Sequence, residues 1–327
     1  RILGGTGALL EQSLAYCFVY LLGAIVVWLS GSLTAALRGM GDMQFPAVLT
    51  VICAGIQVFF SAGFILGSFG LPKLGLVGSA WSMIVTSGFM ALVTLIKISS
   101  PSSTVRLKLK RLTIERELFE DIFSVALPAS LSPIMTVATV LLLTGLIGQF
   151  GTSAIAGYGI GSRVEFLLIP IVFGIGTAMT AMVGTNIGAK NIERAEKIGM
   201  VGATTAGLLS AVIGLALALT PNLWIGIFTS DPETLLVTKQ YIQILGVCYV
   251  FQGYGLSLYF ASQGANAMKW PIIITAIRLI VFSVLALVAV YWLSYGLVSI
   301  FYASAIAMVI FGILMVISLK MGAWRNN

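Results

Sequence analysis

The chain has 327 residues, of which 59% are hydrophobic and only 9% are charged, and its mean hydropathy is +1.06. A soluble domain needs about a quarter charged residues to cover its surface. The composition therefore excludes a soluble protein and predicts a chain embedded in a lipid bilayer. The net charge of +7 comes from short basic segments between apolar runs, which is typical of loops at an anionic membrane surface and not of a nucleic-acid partner.

Apolar runs that are long enough to cross a bilayer, about 20 residues each, recur along the whole chain. We predict an all-α polytopic membrane protein with nine spanning helices, at residues 14–36, 47–67, 76–97, 122–148, 157–184, 198–220, 238–261, 271–292 and 296–318. The three cysteines lie singly within such runs and the chain has no histidine. We therefore expect neither a disulfide framework nor a resident metal.

The basic residues predict the orientation of these helices. Of the 18 Lys and Arg residues, thirteen fall on one side of the predicted bundle and three on the other, while Arg163 and Arg278 lie within spans. By the positive-inside rule the richer side is cytoplasmic. We predict a multi-pass protein of the bacterial inner (plasma) membrane, with its C-terminus in the cytoplasm.

Residues 98–121 form the one sizeable polar stretch of the sequence. The stretch begins with Ser and Pro, continues through a basic run and ends in an amphipathic segment at residues 115–121. We interpret it as a cytoplasmic linker between two lobes. Residues 1–97 are then three helices of an N-terminal lobe, and residues 122–327 are a six-helix C-terminal lobe.

Two short blocks, residues 38–46 and 263–271, match each other at an offset of 225. The corresponding pairs are Gly39 and Gly264, Met43 and Met268, Phe45 and Trp270, and Pro46 and Pro271. Each block is predicted to be a tight turn, in which Gly39 and Gly264 allow backbone angles that are closed to other residues. Gly41 also belongs to the first turn motif. Each proline is predicted to lie in the first turn of the next helix.

The repeat also predicts the size of the intact protein. Three spans, at residues 122–220, precede the span that carries the second block, whereas only residues 1–13 precede the span that carries the first. If the two copies are equivalent, three more helices lie upstream of residue 1. We therefore expect twelve helices in two pseudo-symmetric lobes of six, related as parallel repeats.

Residues 36–46, the Arg163-Val-Glu165 segment leading to Pro170, and residues 183–191 with the Glu-Arg-Ala that follows together resemble the multidrug and toxic compound extrusion (MATE) family. The resemblance covers the chain from the family's fourth helix to its twelfth. It implies a cation-coupled antiporter that expels small organic, often cationic, compounds through a cleft between its lobes. The coupling ion would be Na⁺ or H⁺, and no other cofactor is implied.

The chain departs from the family pattern in the helix that follows the first block. Many members carry an Asn there and an Asp-Pro four residues later, and the corresponding positions here are Gln57, Ser61 and Ala62. This membrane carboxylate is therefore absent, although Gln57 and Ser61 still offer oxygen ligands and stay candidates for cation or substrate binding. The helix at residues 122–148 also lacks the acid that some members carry.

Three ionisable groups, Arg163, Glu165 and Arg278, fall within predicted spans. A charged side chain in hydrocarbon costs about 3 kcal/mol or more, so each is a functional hypothesis by default. In one interpretation Glu165, with Arg163 nearby, binds a proton, Na⁺ or a cationic substrate. In the other, Glu165 is a structural carboxylate paired with an arginine such as Arg278, and the sequence leaves both open.

Four apolar or aromatic residues are candidates for the lining of an adaptable cleft: Met135, Met179, Tyr158 and Phe166. Methionine surfaces can repack around different ligands, although packing against lipid or other helices explains the same residues. Gly188 is predicted to shape a turn, and Asn191 to cap the helix that follows it.

The sequence contains no nucleotide-binding glycine loop, catalytic triad or metal-ligand cluster. We therefore predict secondary active transport by a monomer that is not an enzyme, with the bilayer and small organic substrates as partners. Three alternatives stay open. A lipid-linked oligosaccharide flippase of related fold would need a large cationic cavity, an intramembrane enzyme would need clustered polar groups, and an incomplete chain would be an inactive fragment.

Overall fold

The computed structural model describes residues 7–100 and 115–325, and within these two ranges the chain forms α-helices and no strand. The predicted all-α class is confirmed. The helices are α1 (Gly7–Leu22), α2 (Ala24–Gly39), α3 (Gln44–Leu66), α4 (Leu76–Ser99), α5 (Arg116–Gly148), α6 (Thr152–Gly188), α7 (Ile192–Leu219), α8 (Pro221–Ile225), α9 (Pro232–Gly246), α10 (Tyr249–Gly264), α11 (Lys269–Leu287) and α12 (Val298–Lys320). A π-helical turn, Val288–Trp292, extends α11.

Seven of these helices are long and apolar enough to cross a membrane: α3, α4, α5, α6, α7, α11 with its π-turn, and α12. Two more spans are bent pairs, α1 with α2 at an angle of 50° and α9 with α10 at 59°. Counted in this way, the part of the chain that the structure describes contains the nine spans that hydropathy predicts. The chain is a multi-pass membrane protein.

The described helices divide into two compact units, and the division falls before Glu115. In the N-terminal unit, α4 packs against α1, α2 and α3. In the C-terminal unit, α10 is central and packs against α6, α7 and α12. Of the stretch interpreted as a linker, residues 101–114 lie outside the described residues, and residues 116–121 belong to α5.

Small residues let the helices of the C-terminal unit approach closely. A Cβ added at Gly214 of α7 would collide with the carbonyl oxygen of Gly246 in α9, and one added at Gly253 of α10 would lie 2.7 Å from the carbonyl oxygen of Ala206 in α7. Lipid tails are as apolar as the helix surfaces, so close packing is a main source of helix association in a membrane. Through these contacts α9 and α10 both pack directly against the backbone of α7.

The two matching blocks of the sequence form the same turn. In each, backbone N–H groups just beyond a helix donate hydrogen bonds to its last carbonyl groups. In the first copy the N–H groups of Met40, Gly41 and Asp42 donate to Ala36, Arg38 and Leu37. In the second copy those of Ala265, Asn266 and Ala267 donate to Ala261, Gln263 and Ser262. This pattern satisfies carbonyl groups that a helix end otherwise leaves without partners.

One detail of the predicted turns is wrong. The positive φ angles fall at Gly41 (86°) and Asn266 (55°), because Gly39 and Gly264 are the last residues of α2 and α10 and keep helical angles. Gly264 must nevertheless be small, since an added Cβ would collide with the carbonyl oxygen of Thr180 in α6. At Gly39 an added Cβ would meet nothing within 4 Å.

The other predicted turn residues lie at helix ends. Pro46 and Pro271 are each the third residue of a helix, α3 and α11, where a missing N–H leaves no hydrogen bond unmade. Gly188 is the last residue of α6, and the left-handed residue after it is Lys190, with φ 59°. Asn191 then caps α7 by accepting a hydrogen bond from the Arg194 N–H.

Candidate functional site

Glu165 lies on α6 and accepts a hydrogen bond of 2.5 Å from the hydroxyl of Tyr241 on α9. The sequence of α6 makes this contact possible, because Gly157, Gly161 and Glu165 recur at a spacing of four and share one face. A Cβ at Gly157 would lie 2.7 Å from the Val237 side chain, and one at Gly161 would collide with the Tyr241 ring. The two glycines therefore let α9 pack close, which brings the Tyr241 hydroxyl to the carboxylate one turn further on.

A cavity of about 50 Å³ surrounds this contact. Glu165, Tyr241, Tyr158 and Arg278 line it, together with Thr136, Thr139 and Ser304. These residues come from α5, α6, α9, α11 and α12, so the cavity is in the middle of the C-terminal unit. Its volume is enough for an ion with a few waters and too small for an organic compound.

Arg278 of α11 lines the same cavity as Glu165, and its guanidinium lies 5.1 Å from the centre of the Phe311 ring. Between described residues, the ion pairs shorter than 4.0 Å are Arg116 with Glu120 and Arg325 with Glu196. Glu165 and Arg278 therefore attract each other across the cavity without a direct ion pair. The interpretation of Glu165 as a structural carboxylate paired with Arg278 therefore stays open, as an electrostatic pairing across the cavity.

Arg163, two residues before Glu165, has a different neighbour. Its side chain is exposed, and its guanidinium lies 5.0 Å from the centre of the Phe228 ring. Residues two apart on a helix do not share a face. The structure therefore does not bring Arg163 and Glu165 into one site.

Gln57 and Ser61 come together in the N-terminal unit around Ser82 of α4. The Ser82 hydroxyl donates to the carbonyl oxygen of Ser79 at 2.8 Å, so its one proton is used. It can then only accept, from Gln57 Nε2 at 3.0 Å and from the Ser61 hydroxyl at 2.8 Å. These three side chains form an uncharged polar cluster between α3 and α4.

The four candidate cleft residues do not line one cavity. Tyr158 lines the small cavity, with its ring edge-to-face against Tyr241 at 5.5 Å between centroids. Met179 is buried in the core between α6 and its neighbours, Met135 is half-buried, and Phe166 is 68% exposed on the surface of the C-terminal unit.

A second cavity, of about 470 Å³, lies between α5, α6, α10, α11 and α12. Its walls include the aromatic side chains of Phe173, Tyr259 and Phe260, and Arg278 is the one charged residue within residues 7–100 and 115–325 that lines it. Ser132 Oγ and Gln252 Oε1 belong to this lining and have no hydrogen-bond partner among the described residues. The size and the mixture of aromatic walls with a few polar groups are typical of a site for a small organic compound.

Sequence reasoning found Glu165, Gln57 and Ser61 but missed four polar residues: Tyr241 beside Glu165, Ser82 between Gln57 and Ser61, and Ser132 and Gln252 in the second cavity. Tyr241 is 1% exposed, yet its hydroxyl group must find a partner. A tyrosine or glutamine within an otherwise apolar run was the available signal. Such a residue identifies a polar group without identifying its partner. In addition, α9, the helix that carries Tyr241, is too short to span a membrane without α10.

A protein-family model described as MatE matches residues 128–288 of this chain. The probable multidrug resistance protein NorM of Thermotoga maritima is 27% identical over 273 residues, which cover 84% of this chain and 59% of that protein. The probable multidrug resistance protein YoeA of Bacillus subtilis is 23% identical over 279 residues, 84% of this chain and 60% of that protein. The chain thus spans about three fifths of the length of these curated relatives.

Solved structures of transporters share the fold. A transporter of the MOP superfamily from Pyrococcus furiosus matches all of this chain, and 73% of its own length, with a TM-score of 0.91 at 21% identity. An outward-facing multidrug resistance transporter of the MATE family, also of the MOP superfamily, matches all of this chain, and 73% of its own length, with a TM-score of 0.89 at 22% identity. At these identities the likeness shows the fold alone.

Proposed function

We propose that this chain, which belongs to the MATE family, is part of a secondary active transporter that exchanges Na⁺ or H⁺ for small organic, often cationic, compounds by alternating access. Members of this family are transporters and not enzymes. The curated relatives are named as probable multidrug resistance proteins. Because the chain covers about three fifths of their length, the activity is proposed for the whole protein of which the chain forms a part.

The observation that carries this proposal is that Glu165, a residue of a membrane-spanning helix, places its carboxylate at a small cavity. A carboxylate in hydrocarbon is expensive, so its presence calls for a function. The cavity admits a cation or water, and the Tyr241 hydroxyl orients one carboxylate oxygen. Glu165 is therefore our candidate for the group that binds the coupling ion.

Arg278 connects this ion site to the larger cavity, because it lines both. While Glu165 is ionised, its negative charge offsets the charge of Arg278, and a cationic compound can bind against the aromatic walls of the larger cavity. When Glu165 takes up H⁺ or Na⁺, the charge of Arg278 is left uncompensated and repels that compound. The two cations would then bind in alternation, which is the differential affinity that exchange requires.

Two further features belong to the proposal. The excess of basic residues on one side supports an inner-membrane protein with a cytoplasmic C-terminus. A lipid-linked oligosaccharide flippase is less well supported, because a pyrophosphate needs several cations, and among the described residues Arg278 is the one cation that lines the 470 Å³ cavity. We expect the intact transporter to work as a monomer.

The test uses the full-length protein in proteoliposomes with an imposed Na⁺ or proton gradient and ethidium as the probe. We expect gradient-driven ethidium efflux to fall at least about 100-fold in Glu165→Gln, because a positioned proton-transfer group typically contributes about 10²- to 10⁴-fold. The matched control is Glu120→Gln, which removes an exposed carboxylate paired only with Arg116.

Exchange of ethidium without any gradient separates coupling from folding. We expect Glu165→Gln to keep this exchange while it loses the response to the gradient. Unchanged coupling in Glu165→Gln would remove Glu165 from the mechanism. Efflux that responds to neither gradient in the unaltered protein would contradict antiport itself.

A further inference from the structure

A groove of about 760 Å³ runs between the second half of α6 and the first half of α7, within the C-terminal unit. Its walls are mostly apolar and include Ile175 and Met182 of α6 and Ile198 and Val201 of α7. Met182 and Val201 are 51% and 58% exposed, so the groove opens at the surface of this unit. It is separate from the Glu165 cavity, with which it shares no lining residue.

One end of the groove is basic. Arg194 and Lys197 line it, and both side chains are exposed. They are three residues apart on α7 and therefore share a face. The groove also lies beside the first turn of this 28-residue helix, where the helix dipole favours an anion.

The acidic residues of the same helix end cancel this charge only in part. Glu196 forms two hydrogen bonds with the Arg325 guanidinium, at 2.8 and 2.7 Å. Glu193 lines the groove and also attracts Arg325, so the described charged lining residues are two cations and one anion. Neither ion pair that the described residues form includes Arg194 or Lys197.

The whole lining of the groove has about the length of a lipid chain. Between Glu193 and Thr205, the first and last lining residues on α7, the helix rises roughly 18 Å at 1.5 Å per residue. Half of the hydrocarbon core of a bilayer is about 15 Å thick. The distance between the basic end and the far end of the groove is therefore close to the hydrocarbon thickness of one monolayer.

We propose that this groove binds one anionic phospholipid, with its phosphate at Arg194 and Lys197 and one acyl chain along Ile175, Met182 and Val201. Two basic side chains at the head of an apolar groove between membrane helices match the charge of the phosphate and the polarity of the chain at once. A free phosphate would leave the apolar groove unused. The inference goes beyond transport and does not depend on Glu165.

The test is native mass spectrometry of the full-length protein with phosphatidylglycerol or phosphatidylcholine of identical acyl chains. We expect tight retention of one phosphatidylglycerol and little phosphatidylcholine. Arg194→Gln/Lys197→Gln should lower phosphatidylglycerol retention by about tenfold, since each basic residue near a membrane surface contributes measurably to binding an anionic lipid. The matched control is Lys269→Gln/Lys320→Gln, which removes two exposed charges that do not line the groove and should retain the lipid as the unaltered protein does.

Two further measurements test the acyl chain and the source of the phosphate. Val201→Trp fills the exposed side of the groove and should lower phosphatidylglycerol retention without any change of charge. Glycerol 3-phosphate, the head group without chains, should not compete. Equal retention of the two lipids, an unaffected Arg194→Gln/Lys197→Gln protein, or displacement by glycerol 3-phosphate would each overturn the proposal, and none of these outcomes bears on ethidium efflux.

Discussion

The two units of this protein hold polar side chains inside hydrocarbon in different ways. In the N-terminal unit, Gln57 and Ser61 donate to Ser82, and the cluster carries no charge. In the C-terminal unit, a carboxylate meets a tyrosine hydroxyl beside a small cavity, with Arg278 on its wall. Neutral groups are satisfied by hydrogen bonds to each other, whereas a charge needs a counter-charge and room for an ion. The difference is our reason for assigning ion coupling to the C-terminal unit.

The same contrast appears at the two copies of the repeated turn. Gly39 and Gly264 are equivalent in sequence, and each ends a helix before a turn with the same hydrogen bonds. Only Gly264 packs against the backbone of another helix. Equivalent residues can therefore have unequal importance, because a repeat preserves local geometry while each unit packs in its own way.

The largest effect is expected from an exchange of these glycines for alanine. Gly264→Ala should lower the free energy of unfolding by about 1–3 kcal/mol, since the added methyl group overpacks against a backbone carbonyl that cannot rotate away. Gly39→Ala should change it by less than about 0.5 kcal/mol. Thermal or denaturant unfolding of the two purified variants measures the difference, and equal losses would show that the turn itself, and not the packing on α6, requires glycine.

A second comparison contrasts the two polar clusters in transport. Tyr241→Phe keeps the ring and removes the hydroxyl group that orients Glu165. We expect gradient-driven ethidium efflux to fall by about tenfold, because a hydrogen bond to a charged group contributes about 1.5 kcal/mol or more and 1.4 kcal/mol is a factor of ten. Ser82→Ala removes the central acceptor of the neutral cluster and should leave the gradient response unchanged. A loss of coupling in Ser82→Ala with none in Tyr241→Phe would transfer the coupling site to the N-terminal unit.

A third test concerns the left-handed residue of each turn, Gly41 in the first copy and Asn266 in the second. Gly41→Ala should destabilise the protein by about 1 kcal/mol, because alanine pays the full cost of a positive φ. Gly41→Asn should cost less, since asparagine tolerates this conformation. An added Cβ at Gly41 meets nothing within 4 Å, so unfolding measurements on these two variants report the backbone cost alone.

The smallest expected effect is a pH dependence at the start of α9, the helix that carries Tyr241. The Asp231 carboxylate accepts hydrogen bonds from the hydroxyl and the N–H of Thr234, which lower the pKa of this carboxyl below its usual 3.8. A lowered pKa contributes stability that is present above the unfolded value and is lost as the pH falls through the folded value.

Asp231→Asn keeps a capping side chain that does not titrate in this range. The unaltered protein should therefore lose its advantage in Tm over this variant as the pH is lowered from about 5 to below about 3. A Tm difference that stays constant over this range would show that the charge of Asp231 contributes nothing to the cap.

Much of the architecture was predictable because hydropathy is a local property. About 20 apolar residues define a span wherever they occur, so the nine spans follow from the sequence. The repeat predicted two similar turns, and Pro46 and Pro271 occupy the first turn of the helices that follow them. An ionisable residue in an apolar run is equally visible, and Glu165 was identified on that ground.

The partners of these residues were decided only by the tertiary structure. A spanning helix is apolar on nearly every face, so the sequence does not indicate how it is rotated or which neighbour it meets. The contact between Tyr241 and Glu165 joins residues 76 positions apart, and it depends on two glycines of α6 that allow α9 to approach. The packing of Gly264 on Thr180 likewise depends on a neighbouring helix that no local pattern specifies.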